Sequence, residues 1–405
     1  MSESSDTQAI SRIFHLAGPA DITGDYDTWI KKDLDATSFG GGVFIEQFFQ
    51  FCKERGTRAY LISTASGLSS CNGQFILEYR NPNTRQLKGI RYHLRMLRFM
   101  SGVIITIARF RPNILLITMG DHYLFLLYVL YFTKMAIVPF LHCTLWPRMK
   151  KHSELTIARR MLLRLTGQFL RSRSEGVLAI SDVISSQLND ITSRRPPRTV
   201  RFRPIYERGL FQNMSPPVWD SSPFRVLFVG RVTTDKGIHT LLDVARLVRV
   251  QPSSNTIFDV CGTGDEFDAV QSTIAHEHLT EIQLHGHCSR EQLHSLYSRC
   301  HAVIIPTTAN FPEGFNRVSI EAVLCGRPSI VSTAALEPEI ASAVIEVSPN
   351  DIKGFADAIK SLRENRDVYE RLRLNALRLQ DLFYDKTRGW EVGLLSIIKA
   401  QATSS

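Results

Sequence analysis

The sequence predicts an α/β protein built from two doubly wound, parallel-sheet domains in tandem. Three observations predict it. Its 405 residues correspond to two or three domains at about 150 residues each. Short apolar runs alternate with amphipathic helical stretches of about 10–15 residues, the rhythm of βαβ units. A polar stretch, residues 203–222, is punctuated by Pro204, Pro216 and Pro217, with Pro223 behind it, and separates the halves. The expected units are 1–205, 206–385 and a C-terminal helix within 386–405. With 44% hydrophobic and 21% charged residues, the chain is not disordered, collagen-like or rod-forming. It is long enough to bury a core without disulfides or a metal.

The second half carries the pattern most clearly. Phe224–Val229 is a buried strand ending at Gly230. Ile238, Leu241, Leu242, Ala245 and Val248 then mark one face of a helix. Strands at 256–260, 281–284, 301–305 and 329–332 alternate with helices at 265–276, from Ser289 onward and at 316–325. Ser289 and Gln292 form a capping box, and Gly326 closes the last helix. In the first half, strands are expected at 13–16, 59–63, 114–118, 136–140, 176–180 and 199–202. Helices are expected at 43–54, 91–109, 123–132, 154–170 and 182–191. The run 123–132 is apolar throughout but shorter than the roughly 20 residues a membrane span needs, so it reads as a buried helix. The tail, 390–399, carries an apolar face that includes Trp390, Leu394 and Ile397, and is expected to pack on a neighbouring element, the first domain being one option.

Charge divides the chain. Residues 1–205 hold 28 of the 48 Lys and Arg and 15 of the 39 Asp and Glu, a net of +13 in a chain of net +9. Such asymmetry points to an anionic partner for the first half. Seven cysteines without CxxC spacing, and a polar N-terminus without a signal pattern, read as reduced thiols in a cytoplasmic protein.

Three loops that leave strand ends in the second half can carry chemistry, because open α/β sheets bind ligands beyond the carboxyl ends of their strands. The first runs from Gly230 and Arg231 to Lys236 and Gly237. Two cations at a helix start suit a phosphate, although a solvated basic loop would look the same. The second, Cys261-Gly262-Thr263-Gly264, lets a ligand approach the backbone or simply turns the chain. The third, Phe311-Pro312-Glu313-Gly314-Phe315 leading into Asn316 and a helix bearing Glu321, is the sharpest. As helical neighbours the two carboxylates would point about 80° apart, so the loop must bend for them to share a site. Glu321 sits among apolar residues and needs partners. A ribose diol would serve, and so would Arg317 or Arg327. In the first half, Gly40-Gly41-Gly42 opens a helix, and His142 follows a strand end.

Together these motifs resemble the retaining glycosyltransferases of family 4 (glycosyl transferases group 1), which have the GT-B fold. The resemblance rests on Phe228-Val229-Gly230-Arg231 with Lys236-Gly237, on Pro312-Glu313-Gly314-Phe315 with Glu321-Ala322, and on Cys325-Gly326-Arg327-Pro328. It covers residues 224–400; the first half is similar only in rhythm, in Gly41-Gly42 and in His142. It implies two Rossmann-like domains facing a central cleft, with the donor nucleotide-sugar in the second domain and a glycan or lipid-linked acceptor in the first. By that resemblance Arg231 and Lys236 neutralise the donor diphosphate and Glu321 holds the ribose. Glu313, with Gly314, Phe315 and Asn316, touches the sugar. Gly41 and Gly42 approach the phosphates, and His142 contacts the sugar or phosphate. Gly230, Gly262 and Gly264 shape the nucleotide loops. No cofactor or metal is expected, since the cations supply the positive charge. A non-hydrolysing nucleotide-sugar epimerase or a non-catalytic GT-B scaffold are the alternatives. The turn into the second domain, Arg203-Pro204-Ile205-Tyr206, departs from the family's usual Asn-Gly-Val-Asp.

The basic run from Arg148 to Arg173 has eight Lys or Arg against Glu154 alone. With Leu155, Met161, Leu162, Leu165, Phe169 and Leu170 it reads as an amphipathic helix for the anionic inner face of a membrane. No helix-turn-helix, zinc-finger or aromatic-basic signature points to nucleic acid.

Overall fold

A computed structural model describes residues 10–32, 43–84, 87–118, 123–130, 133–211, 214–251 and 254–402. The first domain is built on eight strands: β1 (Arg12–Gly18), β2 (Arg58–Ser63), β3 (Ser70–Asn72), β4 (Phe75–Tyr79), β5 (Ile114–Ile117), β6 (Ala136–Leu141), β7 (Val177–Ala179) and β8 (Thr199–Arg201). Their order is β3-β4-β2-β1-β5-β6-β7-β8, parallel except for β3, which pairs antiparallel with β4. Between them run α1 (Ile22–Lys32), α2 (Val43–Glu54), α3 (Gly89–Phe110), α4 (Ile157–Arg173) and α5 (Asp182–Ile191). Strands covered on both faces read as unbroken apolar runs; all four residues of β5 are buried.

The second domain has six parallel strands: β9 (Phe224–Val229), β10 (Thr256–Cys261), β11 (Ile282–Gly286), β12 (Ala302–Ile305), β13 (Ser329–Ser332) and β14 (Val344–Val347). They lie in the order β11-β10-β9-β12-β13-β14. Its helices are α6 (Ile238–Arg249), α7 (Phe267–His276), α8 (Arg290–Arg299), α9 (Arg317–Leu324), α10 (Ile352–Glu364) and α11 (Arg366–Leu379). The capping box at Ser289 and Gln292 is present.

The last helix, α12 (Trp390–Ala402), returns to the first domain and packs on β7 and β8. Trp390 is buried. Its indole Nε1 donates to Gln47 Oε1 at 3.1 Å, and its ring lies 5.0 Å from that of Phe44 and 5.3 Å from that of Phe51. The polypeptide therefore crosses between the domains twice.

The structure corrects several expectations. The run at 123–132 forms a 3₁₀ helix over Leu124–Leu130, with Leu124, Leu127 and Leu130 buried; three residues per turn put every third side chain inward. Helix α4 starts at Ile157, where Thr156 caps it, so Arg148 is not part of it. The β3–β4 hairpin and α1 had no clear periodic signal: β3 is largely exposed, and α1 is half polar. The segment joining the domains is not a free polar tether. Ile205, Tyr206, Phe211 and Met214 are buried, and Tyr206 N donates to Phe383 O at 2.9 Å. Cys261 and Cys288 lie side by side, a pairing the sequence did not suggest. Parallel pairing of β10 with β11 brings together two cysteines 27 residues apart, which spacing alone does not reveal. No helix among the described residues is long and apolar enough to cross a membrane.

Candidate active site between the domains

The second sheet changes direction at β9 and β12, which are adjacent but not consecutive. At such a switch point an open sheet leaves a crevice beyond its carboxyl ends. A cavity of about 180 Å³ lies there, lined by Gly230 and Lys236 from the β9 exit and by Thr307, Glu313, Phe315, Asn316 and Arg317 from the β12 exit.

Lys236 arrives through a turn that needs glycine. Gly237 has φ of 81°, and a Cβ on it would stand 2.0 Å from the Pro306 carbonyl oxygen; a side chain there would meet both backbone strain and the β12 exit. Lys236 Nζ then donates to Glu313 Oε2 at 2.6 Å and lies 3.9 Å from the centroid of the Phe311 ring, a cation–π contact. Asn316 Nδ2 donates to the same carboxylate oxygen at 3.2 Å. The Asn316 side chain also caps α9, accepting from Ser319 N at 2.9 Å. Arg231 stands outside, at the rim. Its side chain is 59% exposed and only loosely paired with Asp235, at 3.5 Å.

Glu321 is not itself among the residues lining this cavity, although its partner Arg317 is. Glu321 is buried, accepts from the Tyr297 hydroxyl at 3.0 Å and lies 3.6 Å from Arg317. Burial raises its pKa, with Arg317 and Tyr297 opposing. Of the two arginines the sequence offered, Arg317 is the one that reaches Glu321; Arg327 instead donates to the carbonyls of Tyr297, Cys325, Ser215 and Ser298. Gly262 and Gly264 do not line the cavity. Added Cβ atoms would strike Gly230 O at 1.8 Å and Val232 O at 2.4 Å, so these glycines allow the β9 and β10 exits to touch each other. Gly41 and Gly42 lie outside the described residues.

The first domain closes the site from the other side. A Cβ on Gly314 would stand 1.9 Å from the carbonyl oxygen of His142, so the loop bearing Glu313 lies directly on the β6 exit. The His142 imidazole packs 4.2 Å from the Phe140 ring and 5.2 Å from the Phe44 ring. Its Nε2 is buried without a partner. Burial, and then the charge of Arg317, hold its pKa at about 3, so at neutral pH the ring is uncharged.

Sequence reasoning missed Arg148. Its guanidinium is 8% exposed and binds the second domain: Nε donates to Glu313 O at 2.8 Å, Nη1 to Leu336 O at 2.6 Å, and Nη2 to Gly314 O at 2.9 Å and Glu337 Oε1 at 2.7 Å. The membrane-facing run cannot include it. The only local signal was the apolar triplet before it, Leu145-Trp146-Pro147, of which Leu145 and Trp146 are buried. A second bridge joins Arg290 to Glu46 at 2.9 Å.

Residues 212–378 match the family model for glycosyl transferases group 1. A glycogen synthase of Mycobacterium tuberculosis is 28% identical over 156 residues, 37% of this chain and 36% of that protein; the chain thus aligns with about a third of that relative's length. Among solved structures, sucrose-phosphate synthase from Thermosynechococcus elongatus superposes with a TM-score of 0.70 at 17% identity, covering 98% of this chain and 100% of the other. Anabaena HepE in complex with UDP and glucose superposes with a TM-score of 0.62 at 16% identity, covering 97% and 99%. The fold is GT-B.

Proposed function

We propose that the chain is a glycosyltransferase that moves a sugar from a nucleotide-sugar donor to a glycan or lipid-linked acceptor with retention at the anomeric carbon. The observation that carries this reading is the Lys236–Glu313 pair at 2.6 Å on the wall of the switch-point cavity, with Arg231 exposed at the rim and only loosely paired with Asp235. A bound diphosphate would draw Lys236 from Glu313 and recruit Arg231. The released Glu313 carboxylate would then accept hydrogen bonds from the donor sugar. Charge grows on the diphosphate as it leaves, and preorganised cations facing that charge are usually the largest catalytic contribution. No metal is needed for it. The family match supports the reading because it spans the half that holds this pair.

Retention is motivated by the motif resemblance, and the carboxylate inventory is consistent with it. An inverting enzyme needs a base opposite the leaving group. Glu313, once released, faces the donor sugar, and Glu321 is engaged by Tyr297 and Arg317; both belong to the second domain, the one read as holding the donor, so neither serves as a base from the acceptor's domain. The departing phosphate oxygen can take the acceptor's proton on the face where the bond breaks. The neutral imidazole of His142 is suited to donate to a sugar hydroxyl or phosphate oxygen. Turnover of a panel of nucleotide-sugars, followed by NMR of the product, tests the reading. No transfer with any donor removes the activity, and inverted product removes the mechanism.

Acceptor delivery fits peripheral association with an anionic membrane, as for a glycolipid or cell-surface polysaccharide enzyme. Of the Arg148–Arg173 run, Leu155, Phe169 and Leu170 are buried, so only part of that run is on the exposed face. Helix α3 exposes Ile90, Leu94 and Leu97 beside Arg91, Arg95 and Arg98. Helix α4 exposes Ile157 and Met161 beside Arg164. The 3₁₀ helix at Leu124–Leu130 packs against both. Co-sedimentation with anionic vesicles should fall steeply between 0.1 and 1 M salt, as the screening length shrinks from about 10 to 3 Å. Equal binding to neutral vesicles, or none to either, removes the idea.

A further inference from the structure

We propose that Arg148 is a positioning residue: from the first domain it fixes the backbone of Glu313 and Gly314, and so sets where the Glu313 carboxylate stands when the cleft is closed. The proposal rests on the reading of Glu313 given above. Arg148 spends Nε, Nη1 and Nη2 on four acceptors, all in the second domain. Two are the carbonyls of Glu313 and Gly314, and a third is the Glu337 carboxylate. That carboxylate also accepts from Asn316 N at 3.2 Å, and Asn316 Nδ2 holds Glu313 Oε2. Arg148 therefore grips Glu313 by its main chain directly and acts on its side chain through Glu337 and Asn316. Lys236 completes the circuit from the β9 exit.

Mere adhesion between domains does not require this arrangement. Arg201 and Arg203 already bridge the joint to Glu339 at 2.6 and 2.8 Å, without touching the cavity. Burying a guanidinium is costly unless its donors are satisfied, and here the loop that carries Glu313 supplies two of the four acceptors, with Leu336 O and Glu337 supplying the others. Only a planar fork of fixed donors meets acceptors spread this way; a lysine ammonium is a single point. Separation of the domains would withdraw all four bonds at once. The orientation of Glu313 is thereby coupled to closure.

The test compares Arg148→Ala, Arg148→Lys and, as a joint control, Arg201→Ala. Both Arg148 variants should lose about 30- to 100-fold in kcat, the scale of a misplacement of roughly 1 Å, with KM and nucleotide Kd within about threefold. Methylguanidine should restore part of the kcat of Arg148→Ala but not of Arg148→Lys, and Arg201→Ala should keep its kcat. Amide hydrogen exchange over 311–316 should rise at least tenfold in both Arg148 variants, with α6 unchanged. Wild-type kcat in Arg148→Lys, or kcat, nucleotide affinity and Tm falling together, overturns the proposal, as does unchanged exchange over 311–316. Exchange is read without substrate. If the wild type transfers no sugar, the functional reading fails while the role of Arg148 is still decided.

Discussion

The two sides of the cleft are built differently. The second domain presents the cavity with side chains from short, contiguous motifs: Lys236 six residues beyond Gly230, and Glu313 three residues before Asn316. The first domain meets the same loop with a carbonyl, at His142, and with one guanidinium 165 residues away from Glu313 in sequence. Chemistry is written locally on one side, and geometry is supplied at long range by the other. Loss of a second-domain side chain should therefore cost rate outright. Loss of a first-domain contact should cost only the fraction of time the loop is held correctly.

The sharpest way to break this contrast is at Lys236. Lys236→Ala should lower kcat by about 10²–10³, the usual loss for one preorganised donor facing developing charge, while the protein stays folded. Wild-type turnover would place the diphosphate elsewhere. A smaller effect is expected at the contact between the domains. Gly314→Ala forces a methyl group against the His142 carbonyl, and overpacking of this kind costs about 1–3 kcal/mol. Because the strain is relieved by opening, kcat should fall about 10- to 100-fold while the affinity for the donor's nucleoside diphosphate, measured by calorimetry, changes less than threefold. A parallel loss of affinity would show that the donor side depends on the first domain after all.

The smallest effect concerns Glu337, whose pKa burial raises to about 7 against the pull of Arg148. A carboxyl that holds its proton more tightly when folded contributes stability that is lost as pH rises from its unfolded value, near 4.5, toward 7. Denaturant titrations should show stability falling across that window by about 1–3 kcal/mol. Glu337→Gln should flatten that part of the profile; an unchanged slope would assign it to other groups.

The same contrast explains what the sequence disclosed. Five of the six strands of the second sheet, all but β14, the Ser289 cap and the Gly230–Gly237 and Phe311–Asn316 loops were legible because each depends on neighbours within a few residues. Arg148 was not: in sequence it opens a basic run and resembles a surface residue, and only the closed cleft buries it. Glu321 was half legible. Its need for partners followed from its apolar neighbours, but Tyr297 lies 24 residues upstream, on α8. The proximity of Cys261 and Cys288 escaped notice for the same reason, since the two meet only across the β10–β11 pairing.

Trp390 has a consequence in time. A chain emerging from the ribosome delivers β1 to β8 first, and domains generally fold in that order. The aromatic nest of Phe44, Phe48, Phe51 and Phe140 is completed only by an indole almost 200 residues beyond β8. The half that is made first is finished last. Until α12 docks, that nest is an open greasy socket that a nascent chain must shield, and a messenger cut short before Trp390 would yield a protein whose weakness appears in the opposite domain from its missing end.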